Sequence, residues 1–256
     1  MPSAERSSSS TARSALKILG LFTLRQSTLG VTEIAQQLDL PKSNVARLVS
    51  TLEQEGYLAR AEHRRYRLGL RLHDLGQMVT RSHELYAPSL EALSEVRAAT
   101  GESTHLAVLN GLDVVHLDRL RSLYLVPYTG PLYRSPIHAT GTGKTLLAYA
   151  PAETQEAVLA SSLTAHTKNT ITNPKILRKE LAAIRARGYG GDIGEFVEEL
   201  GCLAVPVLER SGQAAAVISV VAWNERLAEP RRTSIVALLK RVTMKIAEEL
   251  RTAARS

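Results

Sequence analysis

The chain has 256 residues, of which 44% are hydrophobic and 22% charged, a balance that suits folded globular domains and excludes a low-complexity polymer. A formal charge of +7 permits an anionic partner, while a single cysteine, Cys202, excludes an internal disulfide and any multi-cysteine metal site and points to the reducing cytoplasm. The charge is unevenly placed: residues 1–83 carry 12 Lys and Arg against 7 Asp and Glu, residues 84–256 carry 20 against 18, so the excess sits in the smaller N-terminal part.

Residues 1–11 are Ser-rich and lack an apolar segment, so they read as a disordered arm and neither a signal peptide nor an anchor. No run approaches the roughly 18 apolar residues of a membrane span. Ser14 is placed to cap a first helix in which Ala15, Ile18, Leu19 and Phe22 form an apolar stripe, running to about Arg25. Gly30 interrupts the chain, and Thr32 caps a second helix whose Val31, Ile34, Ala35 and Leu38 face inward. The turn LDLP then leads into a third helix. Pro41 fixes its start and Gly56 supplies its left-handed stop. Within it Val45, Leu48, Val49 and Leu52 line one face for burial.

The opposite face of that third helix offers Ser43, Arg47 and Ser50, with Ala46 and Asn44 on its flanks. Three helices in this order, the last two joined by a tight turn, form a helix-turn-helix. A face of Ser, Asn and Arg suits the DNA major groove, where arginine pairs bidentately with guanine. After Gly56, Tyr57–Arg60 and Arg65–Leu68 read as two short strands around a polar turn. His63, Arg64, Arg65 and Arg67 crowd this wing, within reach of phosphates or a minor groove.

Leu72, Leu75, Met78 and Val79 repeat at helical spacing, which predicts a linker helix or a pairing surface. Pro88 opens another helix, with Leu90, Leu93 and Val96 inside and Gly101 as its stop. His105–Leu109 and Asp113–Leu117 are strand-like runs joined through Asn110 and Gly111, a hairpin signal. Leu123–Val126 reads as a further strand, and Thr142–Tyr149 as a helix after a Pro-rich loop. Glu153–Ala160 and Pro174–Arg187 are helices, the second stopped by Gly188. Gly190–Leu200 is acidic and reads as a loop. Cys202–Leu208 and Ala214–Val221 pair as antiparallel strands, and the final helix buries Ile235, Leu238, Leu239, Val242 and Ile246. The pattern is α+β with a central antiparallel sheet.

LPKSNVARLVSTLEQEGYL with RYRLGLRLHDLG, and then TGESTHLAVLNGLDVVHLDR, PIHATGTGKTLLAY and RGYGGDIGEFVEELGCLAVPV, resemble the IclR (isocitrate lyase regulator) family of bacterial transcription factors in order and spacing. The resemblance implies an N-terminal winged helix-turn-helix joined by a helix to a C-terminal effector-binding domain of GAF-like fold: an arm over 1–11, the DNA-binding domain over 12–70, the linker over 71–86, the effector domain over 87–252 and a tail over 253–256. It further implies homodimers or homotetramers on palindromic double-stranded DNA operators, with a small carboxylate, an organic or aromatic acid, as effector. On DNA it points to Lys42, Ser43, Asn44, Arg47 and Ser50 in the helix and Arg64, Arg65 and Arg67 in the wing. Effector contacts carried over from the family fall on Gly141, Thr142, Asp192, Cys202 and Ser219. Thr142 stands where a small Ala is common in the family, and Val221 where many members have a second Ser. Asn44 and Ala46 depart from the Thr and His of close relatives.

The chemistry of these positions is consistent with such a role. Backbone N–H groups at the Gly141 helix start suit a carboxylate, Ser219 adds a neutral donor, and Asp192 can receive a ligand hydroxyl. The segment GTGKT fails as a phosphate loop, because the position five before Gly143 is His138. The seven histidines never take paired metal-ligand spacing, and His105 and His116, on adjacent strands, read as core or pocket residues. No cofactor or metal is expected. An enzyme turning over a small acid is the rival class, and it lacks a nucleophile and base at credible spacing.

Overall fold

The computed structural model describes residues 9–124 and 134–253 and divides into two compact units, residues 1–79 and 80–256. The first unit contains α1 (Ser10–Gly20), β1 (Leu29–Gly30), α2 (Val31–Leu38), α3 (Lys42–Gln54), β2 (Leu58–Arg60) and β3 (Arg65–Leu68). The helix α4 (Arg71–Ser82) runs through the boundary between the units.

Burial in the first unit follows the apolar spacing. Ile18 of α1, Ile34 and Ala35 of α2, and Val45, Leu48, Val49 and Leu52 of α3 meet Leu29 and Leu58 in one core. Asp39 takes a left-handed conformation at φ 52°, which turns the chain tightly between α2 and α3. Gly56, at φ 76°, ends α3, and Tyr57 N–H closes on Leu52 O at 2.8 Å in the pattern of a left-handed helix stop.

Several expected boundaries move. The first helix starts at Ser10 with Ser9, rather than Ser14, accepting from Ala12 N–H, and it stops at Gly20 before Phe22. At α2 the cap is Gly30 and not Thr32; the Glu33 carboxylate accepts from Gly30 N–H at 2.7 Å, satisfying a free helix-start donor from within the first turn. The wing sheet has three strands in the order β1-β3-β2, because Leu29 and Gly30 pair with Tyr66 and Arg65.

The second unit holds α5 (Tyr86–Thr100), β4 (Ser103–Asn110), β5 (Asp113–Leu120), β6 (Arg134–Ser135), α6 (Gly141–Ala148), α7 (Ala152–Ala160), α8 (Pro174–Arg187), β7 (Gly190–Ile193), β8 (Leu200–Leu208), β9 (Ala214–Trp223) and α9 (Arg231–Ala253). Its antiparallel sheet has the order β6-β5-β4-β9-β8-β7. Helices cover both faces. Leu203, Val205, Ile218 and Val220 pack against Leu93 and Val96 of α5 and Leu239 and Val242 of α9. The alternate residues Cys202, Ala204 and Val217 pack against Leu146 and Leu147 of α6 and Leu181 and Ile184 of α8. A strand buried on both faces loses polar alternation, which is why β8 reads as a continuous apolar run.

Three expectations for this unit are corrected. The stretch expected to be a loop after Gly188 begins with an edge strand, β7, whose Asp192 is opposite Cys202. Leu123 and Tyr124 are not in a strand; Val126 and the expected loop at Pro127, Gly130 and Pro131 lie outside the described residues. The helix expected to open at Pro88 begins at Tyr86, placing Pro88 within the first turn, where a missing N–H costs no hydrogen bond.

Candidate DNA-binding and effector sites

In the first unit α3 presents Lys42, Ser43, Arg47 and Ser50 as exposed side chains, with Asn44 half-buried beside them. Arg47 donates to Asn44 Oδ1 at 3.3 Å, so these two side chains are held together on the outer face. On the wing, Arg64 and Arg67 are exposed, and Arg64 sits at the tip with φ 58° next to His63 at φ 55°.

Arg65 is engaged differently. Its guanidinium donates to Thr28 O at 2.8 Å, to Thr28 Oγ1 at 3.1 Å and to Glu33 Oε1 at 3.1 Å. It ties β3 to the start of α2, where the same Glu33 holds Gly30 N–H. Spacing placed Arg65 with the DNA-facing arginines, but its donors are directed into its own domain. A second brace joins Arg60 to Glu53 at 2.7 Å, linking β2 to the last turn of α3.

In the second unit, Gly141, Thr142, Asp192, Cys202 and Ser219 come from α6, β7, β8 and β9 and converge on one buried cluster. Thr140 sets the start of α6: its hydroxyl donates to Pro136 O at 3.0 Å and accepts from Gly143 N–H at 3.0 Å. Gly141 is needed for close approach, since an added Cβ would lie 2.9 Å from Gly191 Cα and 3.1 Å from Cys202 O. Gly141 N–H donates to Asp192 Oδ2 at 2.6 Å. The helix-start donor expected to face a ligand is thus occupied by the protein's own carboxyl group. Thr142 donates to Ser219 Oγ at 2.9 Å and lies 3.5 Å from Cys202 Sγ.

Burial dominates the electrostatics. It raises Asp192 from 3.8 to about 7, with the Glu195 charge adding to the effect and Gly141 N–H and the Lys144 charge opposing it. Burial likewise pushes the Cys202 thiol up to about 12, so it is an inert, protonated group. Behind the cluster Lys144, 1% exposed, pairs with Glu195. That pair went unnoticed in the chain, because Lys144 belongs to the rejected GTGKT motif and its partner lies 51 residues away.

Residues 11–62 match the IclR helix-turn-helix domain, and residues 77–248 match the C-terminal domain of the bacterial transcriptional regulator IclR. The chain belongs to the IclR family. It is similar to the HTH-type transcriptional regulator KdgR of Escherichia coli, 31% identical over 93% of this chain and 92% of that protein. It is also similar to the probable transcriptional regulator SauR of Cupriavidus necator, 34% identical over 83% of this chain and 86% of that protein. Among solved structures, an IclR homolog from Microbacterium hydrocarbonoxydans complexed with 4-hydroxybenzoate aligns at TM-score 0.84 and 30% identity, covering 95% of this chain and all of that one. The Thermotoga maritima IclR aligns at TM-score 0.77 and 28% identity over 94% and 98% of the two chains. This IclR-family chain is therefore a DNA-binding transcriptional regulator. No described helix is long and apolar enough to cross a membrane.

Proposed function

We propose that this IclR-family regulator binds palindromic operators through α3 and the wing, and that a small organic or aromatic acid held in the second unit controls that binding. Lys42 and the exposed wing arginines Arg64 and Arg67 contact phosphates, while Ser43, Asn44, Arg47 and Ser50 face base edges. Arg65 acts from within, holding the wing strand against α2 so that Arg64 and Arg67 present at a fixed height. A homodimer or homotetramer in the cytoplasm sets two reading helices about 34 to 36 Å apart, one helical turn of DNA.

The observation that carries the effector half is the convergence of Gly141, Thr142, Asp192, Cys202 and Ser219 from four elements separated by as many as 77 residues. They form a small polar cluster inside a buried apolar layer, the composition of a ligand site. With burial raising Asp192 to about 7, its carboxyl group can donate to an acid as well as accept from a hydroxyl. Support for an aromatic acid comes from the Microbacterium relative bound to 4-hydroxybenzoate.

The test is selection of operator fragments from genomic DNA by the full chain, followed by footprinting with and without a panel of acids. Asp192→Ala and Ser219→Ala should lose the response to acid and keep operator affinity. Calorimetry showing undiminished acid binding by both variants would overturn the site assignment.

A further inference from the structure

Every strand of the second unit's sheet places a polar or ionisable side chain on the face that α6 covers. In sheet order these are Ser135 on β6, His116 on β5, His105 on β4, Ser219 on β9, Cys202 on β8 and Asp192 on β7. Register places them on a common face. Asp192 is opposite Cys202, Ala204 is opposite Ser219, and Ser219 is opposite His105. His116 is opposite Ala107, two residues beyond His105, and Ser135 is opposite Val114, two residues before His116. The proposed effector cluster uses only Asp192, Cys202 and Ser219. Ser135, His116 and His105 remain without a role.

Those three side chains form a group of their own. The rings of His105 and His116 meet edge to face with centroids 5.1 Å apart. His116 Nε2 is 3.1 Å from Ser135 Oγ, while His116 Nδ1 is buried with no hydrogen-bond partner among the described residues. Both residues are partly buried; burial, with the charge of Arg119, holds His116 down at about 4, and burial, with the charges of His116 and Arg119, holds His105 well below the usual histidine range. A neutral imidazole presents one donor and one acceptor, and the unpaired Nδ1 is a cost that a ligand group would remove.

We infer that His105 and His116 form the far end of the effector site and recognise a hydroxyl group on the acid, with Ser135 setting which ring nitrogen of His116 carries the proton. This rests on the effector reading above. Strands lie about 4.8 Å apart and rise about 3.4 Å per residue, so Ser219 on β9 and His116 on β5, two intervals apart and offset by two residues, are about 12 Å from each other in the sheet plane. One ring carrying a polar group at each end fits between them. A hydroxyl both donates and accepts, as the neutral imidazoles do. A second carboxylate only accepts, and would require a ring to take up a proton against burial and the Arg119 charge.

The test is calorimetry on the full chain with matched acids: 4-hydroxybenzoate, benzoate and terephthalate, and 4-hydroxybutyrate, butyrate and succinate. In at least one set the hydroxy acid should bind about tenfold tighter than both others, and His116→Phe should shrink that preference to about twofold. Should His116→Phe fail to fold, histidine ring ¹⁵N spectra of the unaltered protein replace it. The bound hydroxy acid should move the His116 ring resonances, and its deoxy counterpart should leave them in place. Preference for the second carboxylate, a hydroxyl preference that survives His116→Phe, or unmoved ring resonances overturns this inference and leaves the effector reading standing. If no acid binds in either set, both fall together.

Discussion

Thr142 donates its hydroxyl hydrogen to Ser219 Oγ across 2.9 Å, from the first turn of α6 to the middle of β9. The bond engages the hydroxyl oxygen of Ser219 and leaves its O–H free to donate, and it involves a side chain that stands where the family resemblance places a small Ala. Thr142→Ala removes two heavy atoms and leaves Ser219 buried without this partner. It should cost about 1 to 3 kcal/mol in urea unfolding and widen the range of acids that bind. Unaltered acid selectivity in calorimetry would show that Thr142 does not shape the site.

Asp192 couples this site to pH. Because its folded value, about 7, lies above the ordinary 3.8, the folded state binds more protons than the unfolded state between those limits. Its contribution is complete below about pH 4 and is lost as pH rises through 7, a swing on the order of 4 kcal/mol. Asp192→Asn keeps an oxygen for Gly141 N–H and removes the titration. Unfolding free energies at pH 5 and pH 8 should therefore differ less in the variant than in the parent chain. Equal differences would place Asp192 in a more solvated setting.

Lys144 and Glu195 form a buried pair in which Glu195 Oε2 has no hydrogen-bond partner among the described residues. Burial raises Glu195, and the Lys144 charge and hydrogen bond oppose that. Lys144→Met leaves a buried carboxylate without its cation and should cost about 3 to 5 kcal/mol. The double variant Lys144→Met with Glu195→Leu should be more stable than either single variant, since neither charge is then stranded. Losses that simply add in the double variant would mean that the two charges do not act as a pair.

Elements with strong local signals were legible in the chain. Pro174 and Gly188 bound α8 as first residue and left-handed stop, and Pro41 and Gly56 do much the same for α3. The elements missed are those whose reason lies elsewhere in space. GGDI contains little that favours a strand; β7 forms because it pairs with β8, and because Gly190 leaves room for Thr145, whose Oγ1 would lie 2.1 Å from an added Cβ. Leu29 and Gly30 are too short a run to show alternation, and only Arg65 and Tyr66 make them a strand. The site followed the same division. Family motifs named five residues that the fold brings together, whereas the closure of Gly141 on Asp192 and the alignment of His105 with Ser219 depend on register between distant strands.

The arginines of the first unit separate reading from scaffolding. Arg47 is exposed on α3 and its guanidinium donates only to Asn44 among the described residues, so Arg47→Ala should leave unfolding unchanged, weaken operator binding by about 1 to 3 kcal/mol and relax one base position. Arg67→Ala should weaken binding to all sequences and lower the salt slope by about one counterion. Arg65→Ala should behave as neither. It breaks the link from β3 to Thr28 and Glu33, so it should lower the stability of the first unit by about 1 to 2 kcal/mol and loosen the wing before any DNA is added. Unfolding curves and footprints of the three variants, taken across a salt series, distinguish these outcomes. An Arg65→Ala chain with parental stability and a changed base preference would return Arg65 to the DNA-facing set.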